Sequence, residues 1–272
     1  MERFSHQQIA INGLSFNVMV EGQGPDVLLV HGFPDDHRVW RKQIPALVAA
    51  GFRVIAPDNR GCGQTDMAAG VLAYRMKHLI ADLVGILDAL GVEKVRLVGH
   101  DWGAVIAWQL CMLHPERVDR YMALSVGHPT AYARAPLEQK LKGYYIWLLQ
   151  FRGVIEWALR AGNWRLFRAV AHYPFECQNW IGNLSRPGRL TAAINYYRAN
   201  LQLILPRALP KPSMPILGVW SSGDRFLAEA QMRSSAQWVT GSWRYERLDG
   251  PSHWLQLDAP EMINTLMLGY LR

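Results

Sequence analysis

The stretch that most constrains this chain is residues 94–113, with the sequence KVRLVGHDWGAVIAWQLCML. A short apolar run at residues 95–98 leads directly into GHDWG at residues 99–103, and a long apolar segment of helical length follows. Glycines two positions before and two after Asp101 remove the Cβ atoms that would clash where a strand turns sharply into a helix. The pattern predicts a buried strand, a tight turn that projects Asp101, and a helix.

The chemistry of this turn depends on the carboxylate at its centre. Asp101 needs no deprotonation to attack, and its attack on a saturated carbon gives an alkyl ester that must later be hydrolysed. Epoxide opening and carbon–halogen cleavage are displacements of this kind, whereas a serine at the same position would favour ester cleavage. The structural alternative is that Asp101 only caps the following helix.

Length and composition limit the classes of protein to which the chain can belong. A chain of 272 residues, 50% of them hydrophobic, can bury a sizeable core in one large domain or in a domain with an insertion. No stretch reaches the roughly 18 consecutive apolar residues of a membrane span. Residues 1–13 lack the pattern of a signal peptide. We therefore expect a cytoplasmic protein without membrane insertion.

The cysteines and the charge argue against zinc, disulfides and nucleic acid. Cys62, Cys111 and Cys177 are too few and too widely spaced for a disulfide framework or a zinc site. The formal net charge of +7 comes from scattered Lys and Arg residues without a dense basic tract or a nucleic-acid-binding motif. We interpret this charge as a solvated surface and expect no nucleic-acid partner.

Strands alternate with helical segments along most of the chain. Segments predicted as strands, some of them continuous apolar runs and others alternating, cover residues 9–12, 14–21, 27–30, 52–57, 95–98, 121–126, 216–220 and 244–248. Helical periodicity covers residues 76–90, and a terminal helix is predicted to begin near Pro260. This alternation predicts an α/β fold with a mostly parallel central sheet, flanked by helices and joined by right-handed crossovers.

The segment at residues 128–210 has a different character. It contains no apolar run typical of a buried strand and is rich in Trp, Tyr, Arg and Leu. Helical stretches in it are predicted around residues 137–149, 154–159 and 190–205. The strand pattern resumes only after a proline-rich stretch. We predict a helical cap domain, residues 128–210, inserted into a core domain formed by residues 1–127 and 211–272.

Three candidate catalytic residues, Asp101, Asp224 and His253, each follow a predicted strand. The carboxyl ends of parallel strands meet at the same edge of a sheet, so these side chains are expected to converge there. Their order along the chain is nucleophile, acid and base. The loop at residues 31–35 also follows a strand, and the backbone amides of Phe33 and Trp102 are the predicted oxyanion hole. The bond before Pro34 is a candidate cis peptide bond.

Taken together, these motifs resemble those of the epoxide hydrolases of the α/β-hydrolase fold, and the similarity covers most of the chain. HGFP at residues 31–34, GHDWG at residues 99–103 and GPSH at residues 250–253 match the signatures of that family. The resemblance implies a capped α/β-hydrolase fold that converts a small apolar epoxide and water into a vicinal diol. It implies neither cofactor nor metal, and it leaves monomer and homodimer open.

Carried over residue by residue, the resemblance makes Asp101 the nucleophile, His253 the base that activates water, and Asp224 the acid that orients His253. Some relatives place this acid after the strand that follows the helix next to the nucleophile. Residues 125–127, Ser-Val-Gly, offer no carboxylate at that place. Asp224 is therefore the predicted acid.

The resemblance further implies two cap tyrosines that donate hydrogen bonds to the epoxide oxygen. One belongs to the Asn-Tyr-Tyr-Arg motif at residues 195–198, in which the matching residue is Tyr197. The other lies a few residues before a Gln-x-x-Gly sequence, where Tyr145 is favoured over Tyr144. A phenol with a pKa of about 10 suits protonation of an alkoxide as it forms. The structural alternative is that both tyrosines only pack within an aromatic cap.

Two other functions stay open at this point. Haloalkane and haloacetate dehalogenases share the Asp nucleophile, the His base and the fold. Haloalkane dehalogenases typically need a second halide donor, often Asn at the position of Phe33. Fluoroacetate dehalogenases have Arg after the nucleophile and a cap His-Trp pair, where this chain has Trp102, Tyr145 and Ile146. The second alternative is a non-catalytic ligand-binding protein of the same fold.

Overall fold

The computed structural model describes residues 4–272 and contains one eight-stranded sheet in the order β1-β2-β4-β3-β5-β6-β7-β8. The strands are β1 (His6–Ile11), β2 (Leu14–Glu21), β3 (Asp26–Val30), β4 (Arg53–Pro57), β5 (Val95–His100), β6 (Val118–Leu124), β7 (Ile216–Ser221) and β8 (Trp243–Leu248). β2 pairs antiparallel with β1 and β4, and all the other pairs are parallel. The predicted, mostly parallel sheet is confirmed.

The burial of each strand follows from its place in the sheet. Every residue of β7 is buried, as are most residues of β3 and β5, because central parallel strands are covered on both faces. The edge strands β1 and β8 carry polar residues; β1 is largely exposed, and β8 is mostly half-buried. Continuous apolar runs in the sequence therefore correspond to the middle of the sheet.

The helices of the core sequence are α1 (Ile44–Ala49), α2 (Met76–Ala89), α3 (Trp102–Leu113), α10 (Glu229–Arg233), α11 (Leu255–Asp258) and α12 (Pro260–Leu271). In α3, nine of the twelve residues are buried, which explains why this segment is apolar on almost every side. α12 begins at Pro260, where the sequence predicts it to begin. The sequence analysis did not predict α1 or α10.

Six helices fill the chain between β6 and β7: α4 (Pro129–Ala133), α5 (Leu137–Lys142), α6 (Tyr145–Leu148), α7 (Val154–Ala171), α8 (Pro174–Leu184) and α9 (Arg189–Ala199). No strand is described in this insert. The stretch predicted as one helix over residues 137–149 is two short helices, with Gly143 ending the first. α7 is interrupted at residues 161–164, which have non-helical backbone angles. Of the helices described in residues 4–272, none has both the length and the apolar character that a membrane crossing requires.

Hydrogen bonds fasten this insert to the loops at the carboxyl end of the sheet. α8 supplies three of them: Trp180 Nε1 donates to Asp35 at 2.8 Å, Asn183 donates to Asp36 at 2.7 Å, and Glu176 pairs with Arg41. The sequence analysis missed α8, whose apolar residues are interleaved with Gln and Asn. The insert therefore lies over the edge where the candidate site residues were expected.

Candidate active site

Asp101 lies between β5 and α3 in a backbone conformation that residues with a side chain rarely adopt, with φ 52° and ψ −124°. The predicted strand, turn and helix are therefore present. The side chain of Asp101 makes no helix-capping hydrogen bond, so the alternative in which it only caps α3 is wrong. The strained turn instead projects the carboxylate from the carboxyl edge of the sheet.

Three glycines allow the backbone segments around this turn to lie close to one another and to Asp101. A Cβ atom on Gly103 would lie 2.0 Å from the carbonyl oxygen of Val30, and one on Gly99 would lie 2.7 Å from the Cα of Ala104. A Cβ atom on Gly32 would lie 2.3 Å from Asp101 Oδ1. Side chains at these positions would push α3 from the sheet or the neighbouring loop from the carboxylate.

The Asp101 carboxylate lies beside the two backbone amides that the sequence singles out. The Phe33 amide donates to Oδ1 at 2.7 Å, and the Trp102 amide helps to hold the pKa of the carboxylate below its usual value. The Phe33–Pro34 peptide bond is cis. Because Oδ1 would become the carbonyl oxygen of an ester on Asp101, these amides stand where an oxyanion hole is needed.

Oδ2 of Asp101 faces His253 instead. The distance from Oδ2 to Nε2 of His253 is 3.6 Å, and Nδ1 of His253 lies 2.8 Å from Oδ2 of Asp224. The other oxygen of Asp224 accepts hydrogen bonds from the amides of Phe226 and Leu227, at 2.8 and 2.9 Å. These bonds fix the Asp224 carboxylate, which in turn fixes the orientation of the imidazole.

The two carboxylates determine the charge of His253. Burial lowers the pKa of His253, but the Asp224 and Asp101 carboxylates outweigh burial and raise this pKa to about 10. For Asp101, burial raises the pKa, and the contacts with His253 and with the Trp102 amide more than compensate, so this pKa lies below its usual value. At neutral pH the site therefore holds a protonated imidazole between two carboxylates.

Tyr145, on α6, and Tyr197, on α9, face each other above Asp101, with ring centroids 6.0 Å apart. Burial raises the pKa of both phenols well above its usual value, so both are hydrogen donors at neutral pH. Their chain neighbours have different surroundings, although Tyr144 also lines the larger cavity. Tyr196 donates to the carbonyl of Arg60 at 2.7 Å, and Tyr144 is 56% exposed.

Two cavities meet at Asp101, Tyr145 and Tyr197. The larger measures about 290 Å³ and the smaller about 80 Å³, and both linings are predominantly apolar. Apolar residues from the insert that line the larger cavity include Leu148, Leu149, Ile155, Leu159, Phe167 and Val170. An apolar molecule that spans both cavities would place its middle atoms against the carboxylate.

Sequence reasoning gave no role to His100 or Asp35. His100 Nε2 donates to the backbone carbonyl of His253 at 2.9 Å, and burial lowers the pKa of His100 to about 3, so it is neutral. Asp35 accepts from the indoles of Trp180 and Trp254 at 2.8 and 3.0 Å, and burial raises its pKa to about 8. The position of His100 inside GHDWG was a usable signal, whereas the distant Trp180 gave none.

Asp36, His37 and Asp58 form the one group in the described chain whose side chains lie close enough together to hold a metal ion. The carboxylates of Asp36 and Asp58 already accept hydrogen bonds from other protein groups. Asp58 accepts from His37 at 2.6 Å and from Asn17 at 2.9 Å, while Asp36 accepts from Arg38 at 2.6 Å. We therefore interpret the group as a structural hydrogen-bond network next to the loop at residues 31–35.

Comparison with known families places these features in context. Residues 25–260 match the family model of the alpha/beta hydrolase fold. The chain is 32% identical to AB hydrolase superfamily protein YfhM of Bacillus subtilis, over 100% of this chain and 99% of that protein. It is 31% identical to Epoxide hydrolase A of Mycobacterium tuberculosis, over 96% of this chain and 95% of that protein.

The solved structures that superpose on this chain include epoxide hydrolases. Epoxide Hydrolase A from Mycobacterium thermoresistibile superposes with a TM-score of 0.84 at 28% identity, covering 99% of this chain and 98% of that one. An epoxide hydrolase from Vigna radiata superposes with a TM-score of 0.86 at 28% identity, covering 98% of both chains. The chain belongs to the α/β-hydrolase superfamily and, within it, to the epoxide hydrolases.

Proposed function

We propose that this protein hydrolyses epoxides to vicinal diols through a covalent ester on Asp101. One observation carries the proposal: Oδ1 of Asp101 is held by the Phe33 amide, while Oδ2 faces His253 and the cavities beneath Tyr145 and Tyr197. A nucleophile, an oxyanion hole, a base and two acids thus surround the same space. The relatives named as epoxide hydrolases support this assignment.

The first step is displacement at carbon. Oδ2 of Asp101 attacks one epoxide carbon, the carbon–oxygen bond breaks, and its electron pair moves to the epoxide oxygen. Tyr145 and Tyr197 donate hydrogen bonds to this oxygen, and one of them supplies the proton as the alkoxide forms. The result is a hydroxyalkyl ester on Asp101.

The second step hydrolyses the ester. Formation of the ester removes the negative charge of Asp101, which is one cause of the raised pKa of His253. The pKa of His253 therefore falls, and its proton passes to the tyrosinate left by the first step. Neutral His253, kept oriented by Asp224, can then accept a proton from water. Water attacks the ester carbon, and the Phe33 and Trp102 amides stabilise the oxyanion on Oδ1. Collapse of this intermediate breaks the bond from Cγ of Asp101 to the alkoxide oxygen, which takes the proton from His253 and leaves as the diol. The Asp101 carboxylic acid then gives its proton to His253, which restores the carboxylate and the protonated imidazole.

The apolar linings of both cavities favour a small apolar epoxide, with water as the second substrate. The proposed chemistry uses only side chains and backbone amides, so it requires neither a cofactor nor a metal. In this proposal residues 128–210 act as a cap domain over the core domain of residues 1–127 and 211–272. A cytoplasmic location and a monomeric or homodimeric state stay predictions from the sequence.

The deciding experiment measures the intact mass of a His253→Ala variant after incubation with styrene oxide or, separately, with a bromoalkane. Without its base the variant should accumulate the ester. A mass gain equal to the whole epoxide, absent when Asp101→Asn is added, would support epoxide opening and identify the nucleophile.

The same experiment separates the two alternatives. A gain of only the alkyl group from the bromoalkane, without an epoxide adduct, would favour a dehalogenase. Phe33 has no side-chain donor for a halide, and the Trp102 indole is the donor nearest in sequence to the nucleophile. No adduct with either compound, and no turnover by the unmodified protein, would favour a binding protein.

A further inference from the structure

The outer side of the insert exposes an unusual run of large apolar side chains. Of the fifteen large apolar residues that are exposed in the described chain, eight fall between residues 137 and 157. This apolar face consists of Leu137, Leu141, Tyr144, Trp147, Leu148, Phe151, Val154 and Trp157. Trp157 is 72% exposed, Phe151 62% and Trp147 55%. Single exposed apolar residues are ordinary, whereas a cluster of this kind marks an interaction surface.

Helical spacing brings these residues to one side. Successive members are three or four positions apart, except that Leu148 directly follows Trp147, and this spacing places most of them on the same side. The turns between the segments are nearly continuous: the amide of Tyr144 bonds to the carbonyl of Leu141 at 3.3 Å, and that of Ile155 bonds to Phe151 at 3.0 Å. The apolar face therefore runs along α5, α6 and the start of α7.

The larger cavity opens at this face. Tyr144 and Leu148 are both exposed, and both also line the cavity that reaches Asp101. Leu166 is a further exposed residue in the same lining. An apolar molecule that leaves the apolar face would thus meet apolar side chains all the way to the carboxylate.

The charge of the chain is concentrated in the same segment. Residues 128–210 contain eleven Lys and Arg against three Asp and Glu, a net charge of +8, whereas the remainder carries eighteen against nineteen, a net charge of −1. The interpretation of the charge as scattered is therefore wrong once the chain is divided by its fold. Lys140 and Arg152 lie within the segment that carries the apolar face; both are exposed, and neither forms an ion pair within residues 4–272.

We propose that the apolar face docks onto an anionic lipid surface. The Trp, Phe and Leu side chains would enter the headgroup region, while the surrounding cations would contact lipid phosphates. The docked segment would lie in the plane of the membrane surface and would not cross the bilayer. It would place the cavity mouth against the phase in which apolar epoxides dissolve.

A second copy of this chain fits the apolar face less well. A symmetric dimer through this patch would bring the same surface of two subunits together, and with it two segments of net charge +8. Repulsion between them opposes association, whereas an anionic bilayer neutralises the same charges. Charge complementarity therefore selects the lipid.

The test is co-sedimentation of the full-length protein with vesicles. Vesicles with about 30 mol% phosphatidylglycerol should bind the protein, vesicles of phosphatidylcholine alone should bind it at least tenfold more weakly, and added salt should release it. No epoxide is present, so the outcome does not depend on the proposed function. Equal binding to both vesicles, or no binding to either, would overturn the proposal.

Paired variants locate the surface. Trp147→Ser with Trp157→Ser should abolish binding, and Lys140→Glu with Arg152→Glu should weaken it by about 25-fold or more, since each cation near a lipid surface contributes about fivefold. The matched controls lie outside the insert: Leu113→Ser with Met262→Ser, and Lys77→Glu with Lys94→Glu, which should bind within about twofold of the unmodified protein.

Two further readouts keep the variants interpretable. Each variant should retain its thermal unfolding midpoint and its activity on a water-soluble epoxide, because none of the substituted residues lines either of the two cavities at Asp101. Sedimentation velocity completes the test. If the tryptophan variant turns a dimer into a monomer, the apolar face is a homodimer interface and the lipid proposal is wrong.

Discussion

Nε2 of His253 lies 3.6 Å from Oδ2 of Asp101, so the proposed base and nucleophile are in direct electrostatic contact. Asp224 holds the opposite side of the same imidazole at 2.8 Å. The three groups form a buried anion–cation–anion arrangement in which each charge stabilises its neighbour. The consequences of this arrangement can be measured by pH and by substitution.

Folding stability should fall at alkaline pH because of His253. Its folded-state pKa of about 10 lies above the unfolded value, so its contribution is complete below about pH 6.5 and is lost as the pH rises through 10. The free energy of unfolding, measured by urea titration between pH 7 and 10.5, should decrease by a few kcal/mol more in the unmodified protein than in His253→Gln. Parallel pH profiles would contradict the raised pKa.

The two cap tyrosines should act on ring opening and leave ester hydrolysis largely unaffected. Tyr145→Phe and Tyr197→Phe should each slow ester formation by about 10- to 100-fold, and the double variant by more, because general acid catalysis typically contributes about 10²- to 10⁴-fold. Single-turnover kinetics with rapid quench separates the two steps. Tyr144→Phe is the matched control and should keep its rate; a larger loss in that variant would move the role from Tyr145 to Tyr144.

Packing at the turn between β5 and α3 should tolerate no side chain at Gly103. Its added Cβ atom would overlap the carbonyl oxygen of Val30 in β3, which is backbone and cannot move aside cheaply. Gly103→Ala should therefore lower the free energy of unfolding by about 3 kcal/mol or prevent folding. Gly269→Ala, in an open position on α12, should be neutral or stabilising by about 0.5–1 kcal/mol. Chemical denaturation of both variants tests the difference.

Arg198 should position both cap tyrosines. Its guanidinium is 3% exposed, pairs with Glu156 at 2.7 Å and donates to the carbonyl of Leu149 at 2.8 Å, which ties the helix of Tyr197 to the segment after Tyr145. Arg198→Met should destabilise the protein by about 3 kcal/mol, since it leaves a partly buried carboxylate unpaired. It should also lower kcat more than it raises KM.

Arg168→Met provides the matched control for this substitution. Among residues 4–272, the one hydrogen bond of the Arg168 side chain is a long contact with the carbonyl of Asn163, at 3.4 Å. The control should keep both stability and kcat. If Arg198→Met lost stability but kept the rate of ester formation, Arg198 would be a structural residue without a positioning role.

Local rules explain why the sequence predicted so much of this protein. The turn at Asp101 needs glycine at fixed spacing, central strands must be apolar, and Pro260 fixes the start of α12, so each of these is visible in a short window. The convergence of Asp101, Asp224 and His253 was also predictable, because each follows a strand and parallel strands align their carboxyl ends. The roles of these residues as a triad stay a prediction.

Other features depended on contacts between distant residues. Only the tertiary structure decided that Tyr145 and Tyr197 lie 6.0 Å apart, that α8 docks through Trp180 onto Asp35, and that His253 is held between two carboxylates. The pKa of a buried group depends on such neighbours and on burial, neither of which a short window records. The sequence by itself determined which residues could react, and packing across the fold decided which of them meet and in which protonation state.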